Sequence, residues 1–264
     1  MIPGTKRDRQ GIAAILYSAA LVHCLCWCVP VVCHAAPVGN PGGPVLLDGN
    51  YPTKFSLEVE TLFDKKLKSG SGGKAKLTGT FLTGKVSFYL GKRLDIYGLI
   101  GTYDGKLKHF IDETYIITSK MDVAWGLGAA YVLYEREYMN GVLRVGVDGK
   151  YRQFRPDIDS VQQYREDVRA TNTELSFKEW QAALGLSYQY KNYVPYCGLK
   201  YSNMKSHIAF NYDGIMRSDK GVHADDTIGL FYGIDVLLTD SLSLNVEGRA
   251  IDETAANIGF NARF

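Results

Sequence analysis

The sequence predicts an all-β protein, a transmembrane up-and-down antiparallel β-barrel of about ten strands. Three observations carry that expectation. Apolar residues alternate with polar or small ones in runs long enough to cross a bilayer. The connections between those runs alternate between short and long. The 264-residue chain also ends with apolar and aromatic residues at alternate positions.

The alternation begins at Thr53. Between Lys178 and Tyr190, Trp180, Ala182, Leu184, Leu186, Tyr188 and Tyr190 share one face, and Glu179, Gln181, Ala183, Gly185, Ser187 and Gln189 share the other. The run from Asp122 to Tyr134 repeats the design, with Val123, Trp125, Leu127, Ala129, Tyr131 and Leu133 on its apolar face. Period two marks strands with unlike faces. Both runs exceed the roughly 5–6 residues of an ordinary strand and reach the roughly 9–11 that cross a bilayer. Strands are expected at about 53–63, 78–90, 94–104, 122–134, 141–154, 179–190, 193–204, 226–238, 241–250 and 254–264. The only weak helical candidate, 159–169, is polar and reads as loop.

The connections at 91–93, 135–140, 191–192 and 239–240 are short, and long polar loops are expected at 64–77, 105–121, 155–178 and 205–225. Short turns on one rim and long loops on the other are the pattern of an up-and-down membrane barrel. An even strand count returns both ends of the barrel to the periplasmic side, with Asp252-Glu253 as an unusually short outer turn.

Composition agrees. Thirty basic residues against 28 acidic ones give a net charge of +2, without the basic surplus of a nucleic-acid binder. Tyr (18) and Gly (28) are abundant, and the mean hydropathy is only −0.12, as in a barrel whose apolar residues are dispersed by alternation. After residue 36 no stretch reaches the roughly 18 apolar residues of a membrane helix.

Residues 1–35 read as a signal peptide. Lys6, Arg7 and Arg9 precede an apolar run from Gly11 to Val32, and Cys33-His34-Ala35 offers a cleavage site before Ala36. The length of the apolar run keeps an uncleaved anchor as the alternative. Residues 36–52 then form a Pro/Gly-rich periplasmic segment, and 53–264 the barrel. Four of the five cysteines leave with the signal. Cys197, alone in a strand-like run, forms no intramolecular disulfide and reads as a packed side chain.

An apolar belt must face lipid, so the apolar faces point outward, with Tyr97, Trp125, Tyr131, Tyr151, Trp180, Tyr188, Tyr193, Tyr201 and Tyr232 as interfacial girdles. A soluble barrel around an apolar ligand would invert this polarity. By parity, Glu58, Glu60, Lys85, Arg144, Asp148, Lys150, Arg152, Glu179, Lys200, Asp235, Glu247, Arg249 and Arg263 point inward. Of these, Arg144, Asp148, Lys150, Arg152, Glu179, Lys200, Glu247 and Arg249 are the candidate pore lining. Ten strands enclose a narrow lumen. Mixed charges there either pair and plug it or line a thin water path, and both remain open on the sequence.

Two resemblances add to this. Asn257-Ile258-Gly259-Phe260-Asn261-Ala262-Arg263-Phe264 resembles the C-terminal signature of bacterial outer-membrane proteins, with a polar residue, Gly two later and a terminal aromatic. It implies that Asn257, Gly259 and Phe264 belong to an assembly signal read by the barrel assembly machinery. The segment Ala36-Pro37-Val38-Gly39-Asn40-Pro41, continuing through Pro44 to Leu47-Asp48-Gly49, resembles the mature N-terminus of the chlamydial major outer membrane porins. Those porins are longer and Cys-rich. The resemblance implies a compact relative in the bacterial outer membrane, surrounded by its lipid, with porin-like passive diffusion of small hydrophilic solutes or ions.

The rival reading is a non-conducting barrel that displays loops for adhesion or envelope structure. The expected loops 155–178 and 205–225 are long and polar, with Phe154, Tyr164, Tyr212, Ile215 and Met216 as apolar anchors. Catalysis has weaker support. His223-Ala224-Asp225-Asp226, and His109 with Asp112-Glu113, place His beside carboxylates, yet no nucleophile is singled out. His223, Asp225 and Asp226 lack a fourth metal ligand. A non-enzyme without metal or cofactor is expected, and the sequence says nothing of oligomeric state.

Overall fold

The computed structural model describes residues 38–41, 52–69, 73–91, 93–110, 114–163, 166–168, 170–212 and 215–264. The expected signal peptide and residues 42–51 lie outside this set. Among the described residues there are fourteen strands and no helix. In chain order these are β1 (Thr53–Lys68), β2 (Lys74–Leu90), β3 (Leu94–Phe110), β4 (Thr114–Ser119), β5 (Asp122–Tyr138), β6 (Gly141–Phe154) and β7 (Ile158–Gln163). They continue with β8 (Glu166–Val168), β9 (Ala170–Gln189), β10 (Tyr193–Tyr212), β11 (Ile215–Ala224), β12 (Ile228–Leu237), β13 (Leu242–Ala250) and β14 (Glu253–Arg263).

Ten of them close a ring in the order β1, β2, β3, β5, β6, β9, β10, β12, β13, β14, all antiparallel. β14 returns to β1 with Lys54 opposite Arg263 and Phe55 opposite Ala262. Closure removes the unpaired sheet edges that a bilayer cannot satisfy. The short turns fall at the expected connections, except that β5 runs on to Tyr138 and narrows 135–140 to Met139-Asn140. Met139 and Asn140 both adopt positive φ, as tight two-residue hairpin turns require.

The expected loops at 64–77, 105–121, 155–178 and 205–225 are corrected, because most of these residues are strand. β1 runs to Lys68, β2 starts at Lys74, and β9 and β10 reach 20 residues each. β4 pairs with the outer end of β3, and β7 and β8 extend from β4. β11 pairs with β10 and with β1, above the shorter β12, β13 and β14.

The physical reason is an inversion of polarity along single strands. On β2, Leu82, Val86 and Phe88 point outward and are exposed, while Thr83 and Ser87 point inward. Toward the outer end the same parity continues with opposite chemistry. Lys74 faces out, while Ala75, Leu77 and Phe81 face in and are buried. β3 repeats this, with Ile96 and Ile100 outward below, and Tyr103 and Leu107 inward above. The inner half is a membrane barrel with an apolar exterior, and the outer half has the polarity of a soluble β-barrel.

The outer half is filled by one apolar core, including Leu67, Leu77, Phe81, Tyr103, Phe154, Phe177, Met204 and Ile208. Phe154 stacks on Phe177 at 4.7 Å between ring centroids and meets Phe81 edge-on at 5.2 Å. Phe154→Ala is expected to destabilise the refolded protein by about 3–5 kcal/mol, the usual cost of emptying a packed aromatic site. Urea unfolding followed by Trp fluorescence measures it.

Candidate functional site

The inward-facing side chains of the inner half converge on the lumen. At mid-barrel six of them form a closed ring of alternating charge. Lys65 Nζ lies 2.8 Å from Glu179 Oε1 and 2.7 Å from Glu253 Oε2. Arg152 reaches Glu179 through Nη2 and Glu60 through Nη1, each at 2.9 Å. Arg249 links Glu60 at 3.1 Å to Glu253 at 3.3 Å. The circuit Lys65–Glu179–Arg152–Glu60–Arg249–Glu253 joins β1, β9, β6, β13 and β14 across the barrel. All six residues are buried.

Further groups attach to this ring. Lys200 meets Glu253 at 2.9 Å and Asp252 at 3.1 Å, and Glu247 meets Arg249 at 3.4 Å. Charges of opposite sign in low dielectric attract strongly, but each was desolvated to get there, so the ring holds only while every member keeps its partners. Above it lies the aromatic core. The Arg152 guanidinium sits 3.9 Å from the Phe81 ring centroid, so the polar and apolar layers touch.

On the periplasmic side the lumen is polar and also occupied. Residues 38–41, part of the segment expected at 36–52, enter it from that side. Val38 N and Gly39 N donate to the two Glu247 oxygens at 3.0 and 2.8 Å, and Asn40 Nδ2 donates to Asp235 at 3.1 Å. Val38 is buried in a small cluster with Ala183, Tyr196 and Phe231. Tyr196 OH donates to Glu247, and Tyr97 OH donates to Asp148 at 2.7 Å. Lys85 stands 4.2 Å over the Tyr97 ring. A cavity of about 50 Å³ remains beside Gly39, Asn40, Lys85 and Asp148.

The eight candidate lining residues are all buried inside the barrel, but they do not form one surface. Arg152, Glu179, Lys200, Glu247 and Arg249 join the mid-barrel network. Asp148 belongs to the periplasmic layer, and Lys150 is buried on the same inward face of β6. Arg144 is separate, held by Glu135 at 2.6 Å and Gln189 at 2.9 Å beside the 139–140 turn. Lys65, Asp252 and Glu253 were not foreseeable by parity. A bulge between Leu62 and Lys65 shifts β1 by one residue and turns Lys65 inward, while Glu253 opens β14 rather than ending a turn.

The other candidates are dispersed. Asn257 is buried and donates to Asn245 at 3.4 Å, Gly259 lies opposite Glu58 on β1, and Phe264 is exposed at the end of β14. Cys197 is a free, exposed thiol on the outer face of β10. His223 lies on β11 directly opposite Lys68 on one side and Lys205 on the other, a cationic setting that repels a metal ion. Among the described residues no group of three His, Cys, Asp or Glu side chains is placed to hold one. Tyr164 and the Asp112-Glu113 pair lie outside the described residues.

Comparison with known proteins places this geometry. Residues 152–219 match the family described as the Chlamydia major outer membrane protein. Outer membrane protein B of Chlamydia pneumoniae is 25% identical over 162 residues, a match covering 56% of this chain and 46% of that protein. The chain thus spans about half the length of that curated relative. Among solved structures, the translocator domain of the autotransporter NalP from Neisseria meningitidis is similar at 12% identity, with a TM-score of 0.43 over 83% of this chain and 91% of that one. The outer membrane protease OmpT from Escherichia coli is similar at 9% identity, with a TM-score of 0.44 over 81% and 98%. The chain is a bacterial outer-membrane β-barrel that resembles the chlamydial major outer membrane proteins.

Proposed function

We propose that the barrel is closed to solutes in its resting state and acts as a non-enzymatic envelope protein that presents its outer β-structure at the cell surface. One observation carries this reading. The ring of six buried charges spans the lumen, and the Phe81, Tyr103, Phe154 and Phe177 layer lies directly on it. Hydrated ions need a polar path of their own width, and a packed aromatic layer offers none. The rigid outer half then serves as a platform for surface contacts, in adhesion or in envelope structure.

A second reading is favoured by the family match. Residues 152–219 include Arg152, Glu179 and Lys200, three charges of the mid-barrel network. In this reading residues 38–41 leave the lumen, the network rearranges, and Arg144, Asp148, Lys150, Arg152, Glu179, Lys200, Glu247 and Arg249 line a path for small hydrophilic solutes or ions. In either reading residues 1–35 are the export signal, and Asn257, Gly259 and Phe264 on β14 engage the barrel assembly machinery.

Single-channel recording of the refolded, folding-checked protein in a planar bilayer separates the two. A silent bilayer is expected from the closed barrel. Steps of reproducible size establish the diffusion reading in its place.

A further inference from the structure

The outward face of the outer half carries an ordered row of four lysines and one histidine. Lys178 on β9 lies directly opposite Lys205 on β10, and Lys205 lies opposite His223 on β11. His223 in turn lies opposite Lys68 on β1, and Lys68 lies opposite Lys74 on β2. Five basic side chains therefore stand side by side across five neighbouring strands, and all five are exposed. Among the described residues Lys68 has a carboxylate, Asp225, at 4.0 Å, whereas Lys74, Lys178 and Lys205 have none within ion-pair distance. Behind the row Lys66 stands opposite Lys76, which is paired with Asp64 at 3.0 Å.

Like charges directly opposite one another, here Lys178 with Lys205 and Lys68 with Lys74, destabilise a sheet, so these pairs call for a compensating partner. Edge protection, the usual reason for strand lysines, does not apply. β9, β10, β11, β1 and β2 are each paired on both sides at these positions or along their length.

The position of the row identifies the partner. Lys178 is two residues beyond Trp180, an exposed aromatic at the top of the apolar belt. At about 3.4 Å per residue and a strand tilt of about 40°, it stands about 5 Å above that ring, within the headgroup layer. From there the row climbs with the tilt of the strands by about 3 Å per strand, so Lys178 and Lys205 stand lowest, at the headgroup phosphates, and Lys74 highest. The row crosses four inter-strand spacings of about 4.8 Å, or about 19 Å, which is wider than one phosphate. It also lies on the side wall of the barrel, facing along the membrane plane, where the neighbour is another molecule of the outer leaflet. We propose that Lys178, Lys205, His223, Lys68 and Lys74 form a binding site for phosphate-bearing glycolipid headgroups of the outer leaflet.

The test uses the refolded protein in a neutral detergent, titrated with diphosphorylated lipid A and followed by native mass spectrometry. Dephosphorylated lipid A and heparin are run alongside. The variant carries Lys178→Gln, Lys205→Gln and Lys68→Gln, all at exposed positions. Its fold is checked by unchanged heat-modifiable gel mobility, and the corresponding triple Arg variant serves as the charge-preserving control. Affinity for the diphosphorylated lipid is expected to fall about a hundredfold in the Gln variant and to be kept in the Arg variant. The wild type should prefer the diphosphorylated over the dephosphorylated lipid, and lose that preference as salt rises. Equal binding by the wild type and the Gln variant overturns the site, as does equal binding of the two lipids. Heparin binding without lipid binding also overturns it and assigns the row to a soluble polyanion. Should the triple Gln variant misfold, Lys178→Gln alone and the salt dependence of the wild type decide the same question.

Discussion

Arg152→Ala is expected to lower the unfolding stability of the refolded barrel by about 3–5 kcal/mol, measured by urea denaturation in micelles. The guanidinium is the sole bridge in the six-charge circuit between Glu60 and Glu179, at 2.9 Å from each. Its loss strands charge on two buried carboxylates from different strands. Glu179 retains Lys65 and Glu60 retains Arg249, but each loses a charge-assisted bond that its burial requires, which is the cost of a broken buried pair. Replacing Arg152 together with both of its carboxylate partners follows a different rule. A variant with Arg152→Met, Glu60→Gln and Glu179→Gln leaves no carboxylate stranded by the missing guanidinium, while Lys65 and Arg249 keep Glu253, and it should recover part of the stability that Arg152→Ala loses. If Arg152→Ala unfolds at the wild-type urea concentration, the circuit is not a cooperative structural unit.

Leu184→Arg is expected to cost about 2–4 kcal/mol when the protein is folded in lipid bilayers, the price of an arginine near the bilayer midplane. Leu184 lies outward on β9, midway between Trp180 and Tyr188, in the centre of the apolar belt. The same substitution at Ser176, outward on β9 but beyond Lys178, should change stability by less than about 0.5 kcal/mol, as for ordinary surface sites. Vesicle-based urea unfolding of the two variants reads the difference. Equal costs would mean that the belt does not meet lipid at Leu184.

The ring strands are legible in the sequence wherever one face meets lipid, because Trp180, Leu184 and Leu186 must alternate with small or polar neighbours. The outer half is hidden by the same rule. In Lys66-Leu67-Lys68 and Lys74-Ala75-Lys76-Leu77 the alternation persists, but the lysines dominate the composition and imitate a loop. Parity also locates Glu60, Arg152, Glu179 and Arg249 inside the barrel. It fails at Lys65, where a bulge changes the phase of β1 without any distinctive residue to announce it. It fails again at Glu253, because the preceding bend is made by Ile251 at φ 90°, a conformation no β-branched residue advertises. The docking of Val38 and Gly39 is invisible for a third reason. Composition marks 36–52 as irregular chain, whereas its destination is set by two backbone N–H groups that meet the Glu247 carboxylate from 208 and 209 positions away in sequence.

The polarity inversion along the strands acts as a depth gauge. Sinking the molecule by one outward residue pair, about 5 Å, would draw Lys178 toward the hydrocarbon, and raising it by the same amount would lift Trp180, Leu82 and Ile100 into water. Both displacements are opposed, so the waterline is written into the sheet itself. A membrane of mismatched thickness must then deform around the barrel, thinning or thickening locally. The protein thereby gains a preference for the bilayer whose thickness equals the height of its apolar belt, independently of anything that passes through or binds to it.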